Sequence, residues 1–524
     1  MHLEEQLGDL ADAAGEALAD LAQRDAVGRL HGRDHTLWQD DPTEVADRLG
    51  WLDVPLTMRD EVPRLLEFVD GCSADGLERA VVLGMGGSSL FPEVLDRTFG
   101  SRPDRLDLEV LDTTDPAAIA RVTNEWPAAR TLYLGASKSG STLETRSHVE
   151  HFWAQHPVPG NFAVTTDPGS KFGDEARARS FRSVFENPPD IGGRYSALSL
   201  FGLVPAALAG VSVDGLLDGA ADLLPELQLA ADANPAARIA AVMAAGAKHG
   251  RNKITFVLDH RLATFGLWVE QLIAESTGKH GTGVLPVAGE PLGSPDVYGN
   301  DRIFAVIGQP PAEQGEWLDD LAAAGHPILR LPLDGGADGD ELVAALGAQV
   351  LLWETATALS GAGMGINPFD QPDVAAAKAA TQKVLDSGEL PEVPIQPIDS
   401  VLAQVGAGDY VAIQAYVDPQ NECVPELERI RTVIRDRLAV ATTFGLGPRF
   451  LHSTGQFHKG GPPQGVFVQV VGDDPDDLPI PGQPFSFSTL KQAQAAGDLE
   501  TLRSRGLRAA RVTLDDLFRW EAAG

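Results

Sequence analysis

Residues 80–90 read AVVLGMGGSSL, a short apolar run followed by a glycine-rich turn and the first residues of an amphipathic segment. A short run of this kind is typical of a buried strand, and glycines and serines after it are typical of a turn. A strand, a tight turn and a helix in this order begin a βαβ unit, in which the strands lie parallel and helices cover the sheet. The segment therefore predicts an α/β fold.

The same alternation of apolar runs and amphipathic stretches continues along the chain in three series. The second series follows an Ala-rich helical region over residues 215–248, and the third follows the Pro-rich stretch Leu390–Pro397. Helices are also predicted near residues 424–438 and 488–505. The predicted strands are Ala80–Leu83, Leu108–Leu111, Thr131–Leu134, Phe162–Thr165, Ile254–Leu258, Arg302–Ile307, Ile328–Leu331, Val411–Tyr416, Gly465–Val471 and Ala509–Val512.

The 524 residues exceed what one hydrophobic core usually serves, so several domains are expected. Leucines at helical spacing predict helix over residues 1–30, and the segment 36–70 is predicted to continue helical. We predict two doubly wound domains with parallel sheets, preceded by helices and followed by a smaller α/β unit. The predicted boundaries are 1–75 for the N-terminal helical segment, 76–212 and 213–385 for the two α/β domains, and 386–524 for the C-terminal unit.

The net charge of −34 argues against a nucleic-acid partner or an anionic membrane surface, since both require a basic face. The two cysteines, Cys72 and Cys423, have neither disulfide-framework nor zinc-ligand spacing, and they fit a reducing cytoplasm. Because the N-terminus is acidic and no apolar stretch approaches 18 residues, we expect neither a signal peptide nor a membrane span. Because the overall charge repels anions, an anionic substrate would need a site where N–H groups, helix N-termini and a few cations are concentrated.

Residues 134–142, LGASKSGST, could form such a site at the end of a predicted strand. The segment offers four hydroxyls and the Lys138 ammonium immediately before a helical stretch. Hydroxyls and N–H groups at a helix N-terminus can satisfy phosphate oxygens. A solvated capping turn is the alternative, but capping uses one hydroxyl where this segment has four. We therefore favour phosphate binding.

The glycine turn in residues 84–89 allows two other interpretations. Parallel sheets need a turn of this kind with no ligand at all. It also partly matches a dinucleotide-binding fingerprint, although Ser89 stands where the third glycine belongs. In that case an NAD-dependent oxidoreductase would use Asp112, after the next strand, as its ribose ligand.

Three further segments carry residues suited to catalysis: IGGRYS at 191–196, LWVEQLIAESTGK at 267–279 and NPFDQPDVAAAK at 367–378. In the second, an apolar stripe predicts a helix that Gly278 ends, with Gln271 and Glu275 on one face. Taken singly, Arg194 could form a structural ion pair, Glu275 could be solvated, and Lys378 could be an ordinary surface lysine.

Together, GMGGSS, SKSGST, GGRYS, ESTGK and NPFDQ resemble the glucose-6-phosphate isomerase family, whose fold is two sugar-isomerase domains with the active site between them. The resemblance implies that Arg194 stabilises an enediolate and that Glu275 moves a proton between C1 and C2. It assigns Lys378 to ring opening and Gln371 to positioning the sugar. The remaining substrate-binding residues that it implies are Gly87, Ser88, Ser137, Lys138, Ser139, Thr142 and Gln271.

One element departs from the family order. An H-S-x-G-Q segment, whose histidine assists ring opening, usually lies between ESTGK and NPFDQ, but residues 292–300 contain no histidine. The string HSTGQ occurs instead at 452–456, an order that resembles the isomerase half of fused transaldolase–glucose-6-phosphate isomerase proteins. We expect this segment to return to the site in space and His452 to act there, with His280 as the competing histidine.

The resemblance implies interconversion of glucose 6-phosphate and fructose 6-phosphate in glycolysis and gluconeogenesis, without metal or cofactor, by a cytoplasmic homodimer. Two alternatives remain open: a non-catalytic module that binds phosphosugars, and an isomerase of another phosphosugar such as mannose 6-phosphate. The missing mid-chain histidine motivates the first alternative. The contacts at C2 that would decide the second are not visible in any motif.

Overall fold

A computed structural model describes residues 2–309, 315–333 and 338–522. The fold is α/β, with three sheets covered by helices, as the sequence predicted. The strands are β1 (Glu4–Gln6), β2 (Arg79–Gly84), β3 (Asp107–Leu111), β4 (Thr131–Ala136), β5 (Phe162–Thr166), β6 (Ser183–Glu186), β7 (Lys253–Leu258), β8 (Leu285–Val287), β9 (Arg302–Ile307), β10 (Ile328–Leu331), β11 (Tyr410–Tyr416), β12 (Ala441–Leu446), β13 (Gly465–Val471) and β14 (Arg508–Arg511).

Helices connect most of these strands. They are α1 (Ala11–Gln23), α2 (Ala26–His31), α3 (Val54–Thr57), α4 (Val62–Ala74), α5 (Leu90–Phe99), α6 (Pro116–Glu125), α7 (Leu143–Gln155), α8 (Lys171–Ala178), α9 (Leu200–Ala209), α10 (Val213–Leu227), α11 (Pro235–Lys248), α12 (Phe265–Thr277), α13 (Gly315–Ala323), α14 (Gly339–Met364), α15 (Val374–Ser387), α16 (Ile398–Leu402), α17 (Cys423–Leu438), α18 (Gly455–Gly460), α19 (Phe487–Ser504) and α20 (Leu514–Ala522).

The first sheet has the order β3-β2-β4-β5-β6 and is parallel throughout. The second has the order β1-β10-β9-β7-β8, in which only β1 runs antiparallel. The C-terminal sheet, β12-β11-β13-β14, is parallel. Every predicted strand is found to within a residue or two. The strands β1, β6, β8 and β12 were not predicted.

The prediction of continuous helix over residues 1–30 is wrong at its start, where Glu4–Gln6 pair with β10. These three residues are polar, so only their position at the sheet edge, not an apolar pattern, makes them a strand. The prediction for 36–70 is also too simple, because residues 40–49 form turns before α3 and α4. Since β1 completes the second sheet, the N-terminal segment is not a separate layer. The four domain boundaries stay a prediction.

One hydrophobic core is shared by the N-terminal helices and both larger sheets. Helix α14 runs through it and packs on α10, α11 and α12. Among the described residues, α14 is the one helix long and apolar enough to cross a membrane, and 83% of its apolar window is buried inside the protein. Burial in the core accounts for its apolar composition.

Candidate active site

A cavity of about 440 Å³ opens between loops of the first sheet, α12 and the segment that leads into α15. All of the residues predicted for the site line it except Ser137. Four lining residues that the sequence did not single out are Glu44, Arg48, Asp167 and Leu451. The first two come from the N-terminal turns, so this segment forms part of the cavity wall.

The glycine loop after β2 lies against the loop that carries Arg194. Gly86 has φ of +56°, and a Cβ atom at Gly87 would lie 1.9 Å from the carbonyl oxygen of Gly193. Only glycine at position 87 allows the two backbones to approach this closely. Gly86 and Gly87 therefore allow the candidate phosphate loop to pack directly against the loop that carries Arg194.

The serine loop after β4 uses its hydroxyls in pairs. The Ser137 and Thr142 hydroxyl oxygens lie 2.9 Å apart, and those of Ser139 and Ser141 lie 2.8 Å apart. Ser137 is buried beside Thr142 and is not among the residues that line the cavity, so its contact with a ligand stays a prediction. Thr142 immediately precedes α7, whose first N–H groups have no partner within the helix.

The ammonium group of Lys138 already has partners within the protein. It forms an ion pair with Asp167 and donates a hydrogen bond to the carbonyl oxygen of Pro189 at 2.9 Å. Burial raises the pKa of the Asp167 carboxyl, and Lys138 opposes that effect. The positive charge predicted at this loop is therefore largely compensated.

Glu275 lies in the last turn of α12, which ends at Gly278 as predicted. Its Oε1 is 3.3 Å from Nη1 of Arg194. The Gln271 amide Nε2 donates to Glu275 Oε2 at 3.2 Å and to the carbonyl oxygen of His452 at 2.8 Å. Gln271 thus links the ESTGK helix directly to the HSTGQ segment.

Arg194 and Lys279 both bind the NPFDQ loop. Arg194 Nη2 donates to the carbonyl oxygens of Pro368 and Asp370 at 2.9 and 2.8 Å. Lys279 Nζ lies 2.7 Å from the carbonyl oxygen of Asn367 and 2.6 Å from Asp370 Oδ1. Burial, followed by the charge of Arg194, lowers the pKa of Lys279 to about 8.

Gln371 and Lys378 both line the cavity, but they do not share a helix face as predicted. Helix α15 begins only at Val374, because Pro372 follows Gln371 and disfavours the helical backbone before it. Gln371 is therefore positioned by the loop that Arg194 and Lys279 hold. Lys378 is positioned by α15.

The HSTGQ segment does return to the site. His452 ends a short 3₁₀ turn, Arg449–His452, and its Nε2 lies 2.9 Å from Oε1 of Glu144. Glu144 also accepts a hydrogen bond from Gln494 Nε2 at 2.7 Å. Burial raises the pKa of the Glu144 carboxyl, but His452, a backbone N–H and Lys378 together outweigh this, and the pKa falls to about 2. His280, the competing histidine, is exposed and outside the cavity lining.

Asp112, the ribose ligand of the dinucleotide interpretation, is engaged elsewhere. It is buried and accepts hydrogen bonds from Arg449 Nε and Nη2 at 3.0 and 2.8 Å. Both hydrogen bonds use Oδ1, and Oδ2 is buried from solvent, so the carboxylate is not available to a ribose hydroxyl. The geometry removes the main support for the oxidoreductase alternative.

A glucose-6-phosphate isomerase of Rubrobacter xylanophilus is 30% identical over 408 residues, covering 67% of this chain and 91% of that protein. The chain belongs to the glucose-6-phosphate isomerase family. A glucose-6-phosphate isomerase of Thermus thermophilus is also 30% identical, over 65% of this chain and 91% of its own length. The phosphoglucose isomerase family profile matches residues 64–285.

Solved structures support the isomerase fold. A hypothetical protein from Thermus thermophilus superposes with a TM-score of 0.60 at 24% identity, over 73% of this chain and 99% of that one. A glucose-6-phosphate isomerase from Chlamydia trachomatis superposes with a TM-score of 0.61 at 20% identity, over 72% of this chain and 87% of that one. The resemblance to the glucose-6-phosphate isomerase family is confirmed, and the chain is an enzyme of the isomerase class.

Proposed function

We propose that the chain interconverts glucose 6-phosphate and fructose 6-phosphate through an enediolate, with Glu275 as the base that moves the proton. The observation that carries this proposal is the cluster of Glu275, Arg194, Gln271 and His452 in one cavity, which the glycine and serine loops also line. The relatives described above are named glucose-6-phosphate isomerases, which supports the same substrate.

The phosphate would lie against the first-sheet loops. Ser88, Ser139 and Thr142 line that side of the cavity, and the first N–H groups of α7 carry the positive end of the helix dipole. Because Asp167 compensates Lys138, hydroxyl and backbone donors would supply most of the binding. This arrangement suits an anion on a protein whose overall charge repels anions.

The sugar's first two carbons would then face Glu275. In the open-chain aldose, Glu275 removes the proton from C2 and returns it to C1, while a hydroxyl proton moves between O2 and O1. The negative charge that develops on these oxygens would be stabilised by the Arg194 guanidinium, which its contacts with Glu275 and two carbonyls hold in place. A preorganised cation of this kind lowers the barrier to enediolate formation.

Ring opening would precede the proton transfer. His452 and Lys378 lie together at the cavity wall and offer an imidazole and an ammonium group to the ring and hydroxyl oxygens. His452 is oriented by Glu144, and its backbone is fixed by Gln271. A cytoplasmic location and a homodimer, both implied by the family resemblance, stay predictions.

The test is a coupled assay on Glu275→Gln, with Glu270→Gln as the matched control. Glu270 lies on the same helix and is held by the Ala288 N–H at 3.1 Å, outside the cavity lining. We expect Glu275→Gln to lower kcat by about 10²–10⁴-fold, the range for loss of a general base. Glu270→Gln should keep the parental kcat.

A second measurement follows the transferred proton. In D2O, the parent should incorporate deuterium at C2 of glucose 6-phosphate, and Glu275→Gln should not. Parental turnover by Glu275→Gln would overturn the assigned base. Tight binding of fructose 6-phosphate by a parent protein that shows no turnover would favour the non-catalytic alternative.

A further inference from the structure

His452 is delivered to the site by the C-terminal unit, whereas its partners belong to the rest of the chain. Its carbonyl oxygen accepts from Gln271 and would lie 2.6 Å from a Cβ atom at Gly86. Its imidazole meets Glu144 at the start of α7. The turn that carries this histidine must therefore be held against the first sheet with little freedom.

Arg449, at the start of the same turn, makes contacts that fasten the turn to the first sheet. Its guanidinium donates twice to Asp112 Oδ1, at 3.0 and 2.8 Å, and forms an ion pair with Glu93. Asp112 follows β3 and Glu93 lies on α5, so both carboxylates belong to the first α/β region. Both are almost fully buried, at 2% and 4% exposure.

The other side of the turn is fixed by packing. Phe450 is buried against Tyr416, with ring centroids 5.6 Å apart, and against Ala495 of α19. The turn is thus fastened to the C-terminal unit by an aromatic ring and to the first sheet by a guanidinium. Since Arg449–His452 is one 3₁₀ turn, the imidazole lies a fixed short distance from this clamp.

We propose that Arg449, clamped by Asp112 and Glu93, is a positioning residue that sets the place of His452 for ring opening. This inference rests on the proposed function, because it assumes that His452 acts on the sugar. Arg449 lies outside the residues lining the cavity, so it acts through the histidine and not on the substrate.

The experiment must avoid leaving a charge buried alone, since Arg449→Met by itself would leave the buried Asp112 carboxylate without its cation, and Glu93 with Arg97 alone, and so endanger folding. The main variant is therefore the neutral triple variant Glu93→Gln/Asp112→Asn/Arg449→Met, accompanied by Arg449→Lys. Values of kcat and KM are measured for each, with and without His452→Ala. We expect kcat of the triple variant to fall by about 10²-fold, because displacing a catalytic group by about 1 Å costs about that factor in rate. KM should remain near the parental value, because the phosphate loops are untouched.

Arg449→Lys should have a kcat between those of the triple variant and the parent. Lysine keeps the positive charge beside Asp112 and Glu93 but cannot donate two hydrogen bonds in the fixed geometry of a guanidinium. In the His452→Ala background the triple variant should lose nothing further. The control is Glu290→Gln/Arg302→Met, which removes another buried ion pair, of 3.1 Å, away from the cavity. It should lower the melting temperature while leaving kcat unchanged.

Parental kcat in the triple variant would overturn the clamp, and so would an equal loss of kcat with and without His452. If His452→Ala alone keeps parental turnover, the proposed role of the histidine fails, and the clamp fails with it. If His452→Ala is slow and the triple variant is fast, only the clamp fails. The two failures are therefore distinguishable.

Discussion

The Nε2 atom of His452 lies 2.9 Å from Oε1 of Glu144, although 308 positions separate the two residues in the chain. Glu144 is in the first turn of α7, where the helix dipole favours a negative charge, and Gln494 from α19 donates to the same oxygen. The pair joins the serine loop of the first sheet to the C-terminal unit. It adds to the contacts that Arg449 makes with Asp112 and Glu93 between the same two parts.

The first prediction concerns this carboxylate. We expect Glu144→Gln to lower kcat by about 10²-fold, because general acid–base catalysis contributes about 10²–10⁴-fold and a misoriented imidazole forfeits part of it. The same substitution should leave KM nearly unchanged, since Glu144 lies outside the lining of the larger cavity. Steady-state kinetics with fructose 6-phosphate measures both values. Glu150→Gln, on the same helix, is the control and should behave as the parent.

The free energy of unfolding at low pH provides a second test of the pairing between Glu144 and His452. The pKa of Glu144 falls from 4.5 to about 2 on folding, so its contribution to the free energy of unfolding is complete above 4.5 and is lost as the pH falls towards 2. The shift corresponds to about 3 kcal/mol. Denaturant unfolding from pH 6 to acid should show a steeper loss of stability in the parent than in Glu144→Gln. Parallel curves would contradict the assigned pairing.

The second prediction concerns Lys279 at alkaline pH. Because its pKa is lowered to about 8, the ammonium loses its proton above that pH and its hold on the Asn367–Asp370 loop weakens. We expect kcat/KM to decline above about pH 8, since Gln371 follows this loop. Lys279→Met should raise KM at every pH and remove the decline. Lys383→Met, an exposed lysine on α15, is the control.

The free energy of unfolding should move in the opposite direction over the same range. A lysine whose pKa is lower in the folded state binds fewer protons there, so stability rises between about pH 8 and 10.5. Activity falls while stability rises, a combination that general alkaline denaturation would not produce. If the parent loses both together, Lys279 is not the group responsible.

The sequence predicted the parts of the fold that depend on local pattern. Apolar runs such as Ala80–Leu83 became central strands because both faces of a parallel sheet are buried. Strand β8, Leu285–Val287, was missed since three residues including a proline carry no strand pattern. Strand β1 was missed for a different reason: only its partner β10 makes it a strand.

The site was predictable where a motif fixes both chemistry and backbone. The segments holding Glu275 and Arg194 do line one cavity, and His452 returns to it from the C-terminal unit. Glu144 and Gln494 could not have been predicted, because their roles arise only when distant helices pack together.

The third prediction uses the close approach of two loops. A Cβ atom at Gly87 would lie 1.9 Å from the carbonyl oxygen of Gly193, so Gly87→Ala must push the arginine loop away. We expect a loss of kcat together with about 1–3 kcal/mol of stability, the usual cost of overpacking. Gly193→Ala is the control, since a Cβ there meets nothing within 4 Å among the described residues. Equal effects of the two substitutions would show that the contact does not position Arg194.

The fourth prediction separates phosphate binding from chemistry. A hydrogen bond to a charged group contributes about 1.5–3 kcal/mol, so losing one hydroxyl donor should raise KM by about tenfold or more. We expect this for Thr142→Ala and Ser139→Ala, whose side chains line the main cavity, with a much smaller change in kcat. Ser147→Ala is the control, because Ser147 lies on α7 outside the lining of both cavities.

Inorganic phosphate provides the independent measurement, as it should compete with the sugar at this loop alone. Its inhibition constant should rise in parallel with KM for Thr142→Ala and stay at the parental value for Glu275→Gln. Thr142, at the start of α7, and Glu275, on α12, belong to different elements of the cavity lining, so each substitution should affect one constant and not the other. If Thr142→Ala lowers kcat while phosphate inhibition is unchanged, the phosphate lies elsewhere.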